Sequence, residues 1–277
     1  MIRIITDSAI DIRPSLKDRI QQIPMLVSFG DEEYLDGVDL EKNEFYTRLD
    51  SCRELPVTSQ ISPVRFTEVF EEVTRCGDSA LVLTISSELS GTYQSACLAA
   101  QDFDNIRVVD TRNATAGGGI LAEYAMNCRD KGMNLEELAA AVEQKREDVC
   151  LVAMLDTLKF LQKGGRISRT KAIAGGMLNV KPAISIENGT VEFLGQVRGA
   201  KKADNFLMKK IEETGVNYDL PILLVYSGTS DERLQTYVEN SRTLWENKVD
   251  PLEAVQLCTV VGTHIGPGAI GAAYFRA

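Results

Sequence analysis

Short β-branched runs alternate with helical stretches through the first half of the chain, and this alternation limits the fold more than any other feature. "IRIITD" (2–7), "IPMLVSF" (23–29), "SALVLTIS" (79–86) and "NIRVVDT" (105–111) read as strands that are apolar almost throughout. Strands of this kind belong to a parallel sheet covered on both faces. Between them, "SPVRFTEVFEEVTRCG" (62–77) puts Phe66, Val69, Phe70 and Val73 on one helical face and ends in glycine. "SGTYQSACLAAQDF" (90–103) and "ATAGGGILAEYAMNCRDKG" (114–132) are helix-like and rich in small residues. "NLEELAAAVEQKRED" (134–148) opens with Asn134 followed by Glu137, the signature of a capping box.

The rhythm changes near residue 150. "VCLVAML" (149–155) reads as a strand, and "TLKFLQKGG" as a short helix stopped by glycines. "KPAISIENGTVEFLGQV" (181–197) is a hairpin about Asn188-Gly189. A helix over 200–215, a strand in "PILLVYSG", a helix in "DERLQTYVENSRTLWE" and strands in "EAVQLCTVV" and "AIGAAYF" follow. The predicted fold class is α/β with two domains. Residues 1–150 carry a doubly wound, mostly parallel sheet. Residues 151–277 carry a mixed or antiparallel sheet with helices on one side. A chain of 277 residues exceeds what one core serves comfortably. No Ser/Pro-rich linker interrupts it, so the boundary is expected at 148–152, with a ligand cleft between closely packed domains.

Charge narrows the partners. A net charge of −10 opposes nucleic acid binding and a standing association with anionic membrane. No apolar run approaches the ~20 residues that span a bilayer, and "MIRIITDSAI" turns polar too soon for a signal peptide. The six cysteines form no C-x-x-C pair and there is one histidine, so neither a zinc clip nor another metal site is expected. They read as reduced residues of a cytoplasmic protein.

Several stretches could carry chemistry. In "LTISSELSGTYQSA" (83–96) a buried strand is followed by Ser86, Ser87, Ser90 and Thr92 as a helix begins. Hydroxyls beside the free N–H groups of a helix start make an anion cradle, although Ser90 would also serve as a simple cap. "PVTSQISP" (56–63) supplies Thr58, Ser59 and Ser62, and read alone is an ordinary cap segment. Neither a Walker loop nor a G-x-G-x-x-G register is present, and the glycines of "TAGGGI" (115–120) suit close helix packing. Two basic clusters stand out in an acidic chain: Lys163, Arg166, Arg169 and Lys171, then Arg198, Lys201 and Lys202. Either is a solvated face or a surface for an anionic partner. His264 falls in "GTHIGPGAIGAAYF" (262–275), a glycine-rich stretch that lets backbone come close to a ligand; a structural role is the simpler reading.

Taken together, "TDS" (6–8), "TSQ" (58–60), "SSELSGTYQSA" (86–96), "LQKGGRIS" (161–168), "KPAISIENG" (181–189) and "HIGPGAIG" (264–271) resemble the DegV family in content and order. The resemblance implies a long-chain fatty acid carrier, in particular the fatty acid-binding subunit of a bacterial fatty acid kinase. A separate ATP-dependent subunit would phosphorylate the buried ligand's carboxyl group to acyl phosphate. It implies that Thr58, Ser90 and His264 hydrogen-bond the carboxylate. It also implies that Arg166 and Arg198, supported by Lys201 and Lys202, face the kinase. No cofactor beyond the bound fatty acid is implied, and ligand exchange would use transient membrane contact. A chain of about sixteen carbons gains roughly 10 kcal/mol gross on burial at ~0.8 kcal/mol per CH₂, so few polar contacts are needed. The chain departs from the family pattern at Ile61, which replaces a usual proline, at Ala9-Ile10 after "TDS", and at Gly199 after Arg198. The alternative from another class is a small-molecule phosphotransferase, or a serine hydrolase using Ser90 with His264. A hydrolase requires those two side chains in contact and a third group orienting the ring. A ligand-free structural protein would have no tunnel.

Overall fold

The computed structural model describes residues 1–167 and 180–277; Ser168, Arg169 and Lys171 of the first basic stretch lie outside the described residues. In chain order, β1 (Ile2–Asp7), β2 (Ile20–Ile23), β3 (Leu26–Phe29), β4 (Glu32–Leu35), α1 (Lys42–Ser51) and β5 (Val57–Ser59) come first. Then come α2 (Pro63–Arg75), β6 (Ser79–Thr84), α3 (Thr92–Ala100), β7 (Ile106–Asp110), α4 (Thr115–Asp130) and α5 (Leu135–Lys145). The second half has β8 (Val149–Met154), α6 (Lys159–Lys163), β9 (Val180–Glu187), β10 (Thr190–Arg198), α7 (Ala200–Thr214) and β11 (Leu223–Tyr226). It ends with α8 (Glu232–Asn240), α9 (Arg242–Trp245), β12 (Ala254–Gln256), α10 (Thr259–Ile265) and β13 (Ile270–Phe275).

The first sheet is parallel throughout, in the order β2-β1-β6-β7. Its helices start where the sequence marks them. Ser62 accepts a hydrogen bond from the Arg65 N–H with Pro63 at the first helical position, and Asn134 and Glu137 form the reciprocal capping box. The expected strand over 23–29 is two strands. Pro24, with no N–H to donate, interrupts it. Ile20–Ile23 joins the parallel sheet, while Leu26–Phe29 pairs antiparallel with β4 and β5 in a small separate sheet. The "VTS" segment is thus a strand and not a cap.

The second sheet is mixed, in the order β10-β9-β8-β13-β11-β12. Its hairpin pairs Glu187 with Thr190 across Asn188 and Gly189, both at positive φ, as a two-residue turn demands. Helices α7 and α8 pack on one face. The other face is not free. Leu151, Leu223, Val225, Ala273 and Phe275 alternate into the core shared with the first sheet, while Val152, Met154, Leu224, Ala272 and Tyr274 point to the core beneath α7 and α8. Helix α4 touches β1 and β6 on one side and β8, β11 and β13 on the other. Its glycines permit this: a Cβ on Gly119 would lie 2.1 Å from the Asp11 carbonyl oxygen. The final segment also differs from expectation. Strand β12 ends at Gln256, and 259–265 is helix, so His264 belongs to the last turn of α10 and not to a loop.

Candidate functional site: an apolar cavity with a polar end

A cavity of about 220 Å³ is lined by both halves of the chain. Most of its wall is aliphatic: Ile85, Leu89 and Ala114 from the first half, and Leu151, Leu155, Leu161, Ile184, Val225, Val260 and Val261 from the second. Thr58, Ser59, Gln60, Ser90, Arg166 and His264 are polar members of the lining near the Thr58–His264 contact, and Thr115 and Ser185 are polar members elsewhere in it. The sequence-predicted head-group residues therefore come together although Thr58 and His264 stand 206 positions apart.

Each side chain is placed by its element. Strand β5 presents Thr58, whose hydroxyl meets His264 Nε2 at 2.9 Å. Helix α10 presents His264, whose ring lies directly over Gly164, just past α6. A Cβ there would fall 2.3 Å from Nδ1, so any side chain at 164 would displace the imidazole. That nitrogen has no hydrogen-bond partner among the described residues. Burial pushes the imidazole down to about 4, and the charge of Arg166 pushes it the same way. The ring is neutral at neutral pH. Because its folded value lies below the ordinary ~6.5, folding becomes less favourable as pH falls from about 6.5 towards 4, where the unfolded chain binds the extra proton.

The four hydroxyls of 86–92 have separate roles. Ser86 is fully buried and donates to the Gly189 carbonyl at 2.8 Å, clamping the hairpin tip to the first domain. Ser87 donates its backbone N–H to Asp110, and Thr92 is buried against Ser90 at 2.9 Å. Of the four, Ser90 lines the cavity. Helix α3 begins at Thr92 with Gly91 as its cap residue, so the expected cradle reduces to one hydroxyl beside the cavity. The "TDS" motif is structural. Asp7 is buried, accepts from the Ala9 and Ile85 N–H groups, and is pushed up to about 7 chiefly by desolvation.

Arg166 is the residue whose place the sequence did not give. Its guanidinium donates to the carbonyls of Leu89 at 3.3 Å and Gly164 at 2.5 Å, and burial lowers its pKa. It lines the cavity beside His264, rather than sharing an outer face with Arg198, Lys201 and Lys202, which are exposed around the start of α7. No carboxylate among the described residues pairs with it. Gln60 was also missed; it donates to Ser95 and packs over Gly91. Ser90 and His264 are each bonded to a threonine, and among the described residues no acid is hydrogen-bonded to the ring. The Ser90 and His264 side chains thus line one cavity without a hydrogen bond to each other.

Comparison with known proteins agrees with these features. A family model described as "Uncharacterised protein, DegV family" matches residues 1–277. A DegV domain-containing protein of Caldanaerobacter subterraneus is 34% identical over 275 residues, covering 98% of this chain and 97% of its own. A fatty acid-binding DegV family protein from Thermus thermophilus has a TM-score of 0.88 at 30% identity, with 100% of this chain and 99% of that one covered. A DegV lipid-binding protein from Thermotoga maritima has a TM-score of 0.88 at 28% identity, covering 99% and 98%. With its whole length matched, the chain belongs to the DegV family.

Proposed function

We propose that this protein binds a long-chain fatty acid in the cavity and presents the carboxyl group to a separate ATP-dependent kinase subunit for phosphorylation to acyl phosphate. One observation carries the reading: a mostly aliphatic cavity holds Thr58, Ser90, His264 and an arginine that has no carboxylate partner among the described residues. A half-buried cation of this kind is costly alone and is relieved by an anion. The long aliphatic wall suits an anion with an apolar tail. The fatty acid binding of the Thermus thermophilus relative supports the same ligand class. Thr58 and Ser90 hydroxyls, the neutral imidazole and the guanidinium would share the carboxylate oxygens. The kinase subunit would supply the nucleotide and the phosphoryl-transfer chemistry. Mass spectrometry of organic extracts from the purified, denatured protein tests the ligand class. Fatty acid at close to one per chain is the expected result, and repeated extraction without acyl species overturns the reading.

Two results would assign residues. A hydrogen bond to a charged group contributes about 1.5–3 kcal/mol, so Ser90→Ala should weaken fatty acid binding about tenfold or more with little change in melting temperature. Unchanged affinity would leave Ser90 as a partner of Thr92 alone. The kinase surface would lie around Arg198, Lys201 and Lys202, whose exposed charges in an acidic chain can steer an acidic partner. Arg198→Glu should slow acyl phosphorylation by a cognate kinase while fatty acid affinity stays as it was, and added salt should slow the wild type. Normal turnover by the variant at low salt would place the partner elsewhere.

A further inference from the structure

The second sheet contains a fork. Strand β8 pairs with β13 along its full length, from Val149 to Met154, and β9 pairs with β10 from Val180 to Glu187. Between β8 and β9 themselves, pairing runs only from Met154↔Ala183 to Val152↔Ser185. Beyond that point the two strands separate, although β8 reaches back to Val149 and β9 forward to Glu187. A second cavity, of about 560 Å³, opens there. It is lined by 149–152 and 185–188 and by polar groups including Arg112, Glu147 and Lys210. Leu151, Ser185 and Ile186 line both cavities.

Strand alternation shows how the wall is made. Ala153 pairs with Ile184 and shares its face, which is the face of the aliphatic cavity. Leu151 and Ile186 fall on that same face by period two, and stand where the ladder has ended. Ser185, paired with Val152, faces the other way and donates to Glu187 at 2.8 Å. Two aliphatic side chains thus close a gap in the sheet, with a polar cavity behind them. Along β8 the gap is set back from the His264 end. Leu155 clusters with Leu161, Ala269 and Ile265 next to His264, and Leu151 lies four residues back along β8, roughly 13 Å at the rise of a strand.

We propose that the fork between β8 and β9 is the inner stop of the acyl cavity, and that Leu151 and Ile186 are chain-length-determining residues. This rests on the fatty acid reading of the cavity. An aliphatic tail that reached past Leu151 and Ile186 would enter a polar space and gain no burial, so chain length is limited at this point. The hairpin tip is pinned by the Ser86 hydrogen bond to Gly189, which keeps β9 from closing the gap itself and leaves the side chains to fill it. Each further buried methylene changes affinity by about fourfold, so a change of one side chain here alters preference visibly.

The test offers delipidated protein an equimolar mixture of saturated fatty acids from twelve to twenty carbons and counts the bound species by mass spectrometry. Ile186→Ala and Leu151→Ala lengthen the space, and should move the preferred chain about two carbons longer, enriching it several-fold over the wild-type choice. Ile186→Phe, at a half-buried position that tolerates exchange, should move it shorter by a similar amount. Identical length profiles for wild type, Ile186→Ala and Ile186→Phe, all with acyl chains bound, would overturn the stop while leaving the fatty acid reading intact. Wild-type protein that takes up no chain of any length would overturn the fatty acid reading itself.

Discussion

Replacing Arg166 by glutamate is expected to lower fatty acid affinity by a hundredfold or more, the largest loss of any single change in the cavity. The substitution removes a charge-assisted donor, worth about 1.5–3 kcal/mol. It also sets a carboxylate against the ligand's own in a partly buried space, where like charges cost several kcal/mol. A hundredfold corresponds to about 2.7 kcal/mol, so either contribution nearly suffices and the two together exceed it. Among the described residues, the two bonds of Arg166 are to backbone carbonyls, which hold the charge in place without neutralising it. A second readout is independent of ligand. His264 is the sole histidine of the chain, so its imidazole signals in a proton spectrum are unambiguous. In the ligand-free wild type it should titrate near 4, where burial and the Arg166 charge both hold it down. With glutamate at 166 the electrostatic push changes sign, and the titration should move up. Fatty acid affinity equal to wild type, measured with an unmoved His264 titration, would show that residue 166 does not face the head group.

This expectation reverses what the sequence suggested for Arg166, and the reason is instructive. A run such as "LQKGGRIS" displays its charges in one dimension, where Lys163 and Arg166 look alike. Their difference lies in what covers them. Lys163 ends α6 exposed, whereas Arg166 turns back under the Leu89 carbonyl, 77 positions away. Local features were legible: the Asn188-Gly189 turn, the Ser62 cap and the Asn134–Glu137 box form as written because each depends on neighbours within a few residues. The association of Thr58, Ser90 and His264 was legible only through family resemblance, since no local pattern joins them.

Helix α10 shows the limit most clearly. "CTVVGTH" is rich in β-branched residues and reads as a strand by composition. It is helical because acidic groups from distant loops meet its start. Asp36 accepts from both the N–H and the hydroxyl of Thr259, at 3.0 and 2.7 Å, and Asp11 accepts from the Cys258 N–H at 3.2 Å. Buried carboxylates at a helix start satisfy free N–H groups and oppose the dipole. Neither residue is within 200 positions of the helix, so periodicity could not reveal them. The same contacts aim His264, one helical span further on, at Thr58.

Asp11→Ala should therefore unfold the protein at a melting temperature about 6–12 °C lower and weaken fatty acid binding, although Asp11 does not line the cavity. The Asp11 carboxylate is 4% exposed and ties four segments together. One oxygen accepts from Lys42 Nζ at 2.9 Å; the other accepts from the Thr115 hydroxyl at 2.7 Å and from Cys258. Removing it leaves the largely desolvated Lys42 ammonium with the Gln256 carbonyl and, among the described residues, no carboxylate in direct contact, only the more distant charge of Asp36. Breaking one side of a buried pair costs about 3–5 kcal/mol. Lys42 retains some contact with water, which favours the lower figure, and about 2–4 °C per kcal/mol for a chain of this size gives the stated shift. Delipidated protein is the proper sample, because bound ligand stabilises the folded state by mass action. The orphaned charge can be separated from the lost hydrogen bonds. Adding Lys42→Met to Asp11→Ala should restore part of the melting temperature if the unpaired ammonium is the main cost. The weakened fatty acid binding should persist in the double variant, because Cys258 and the start of α10 still lack their acceptor. A melting temperature within 2 °C of wild type for Asp11→Ala would mean that α10 is held by Asp36 and packing alone.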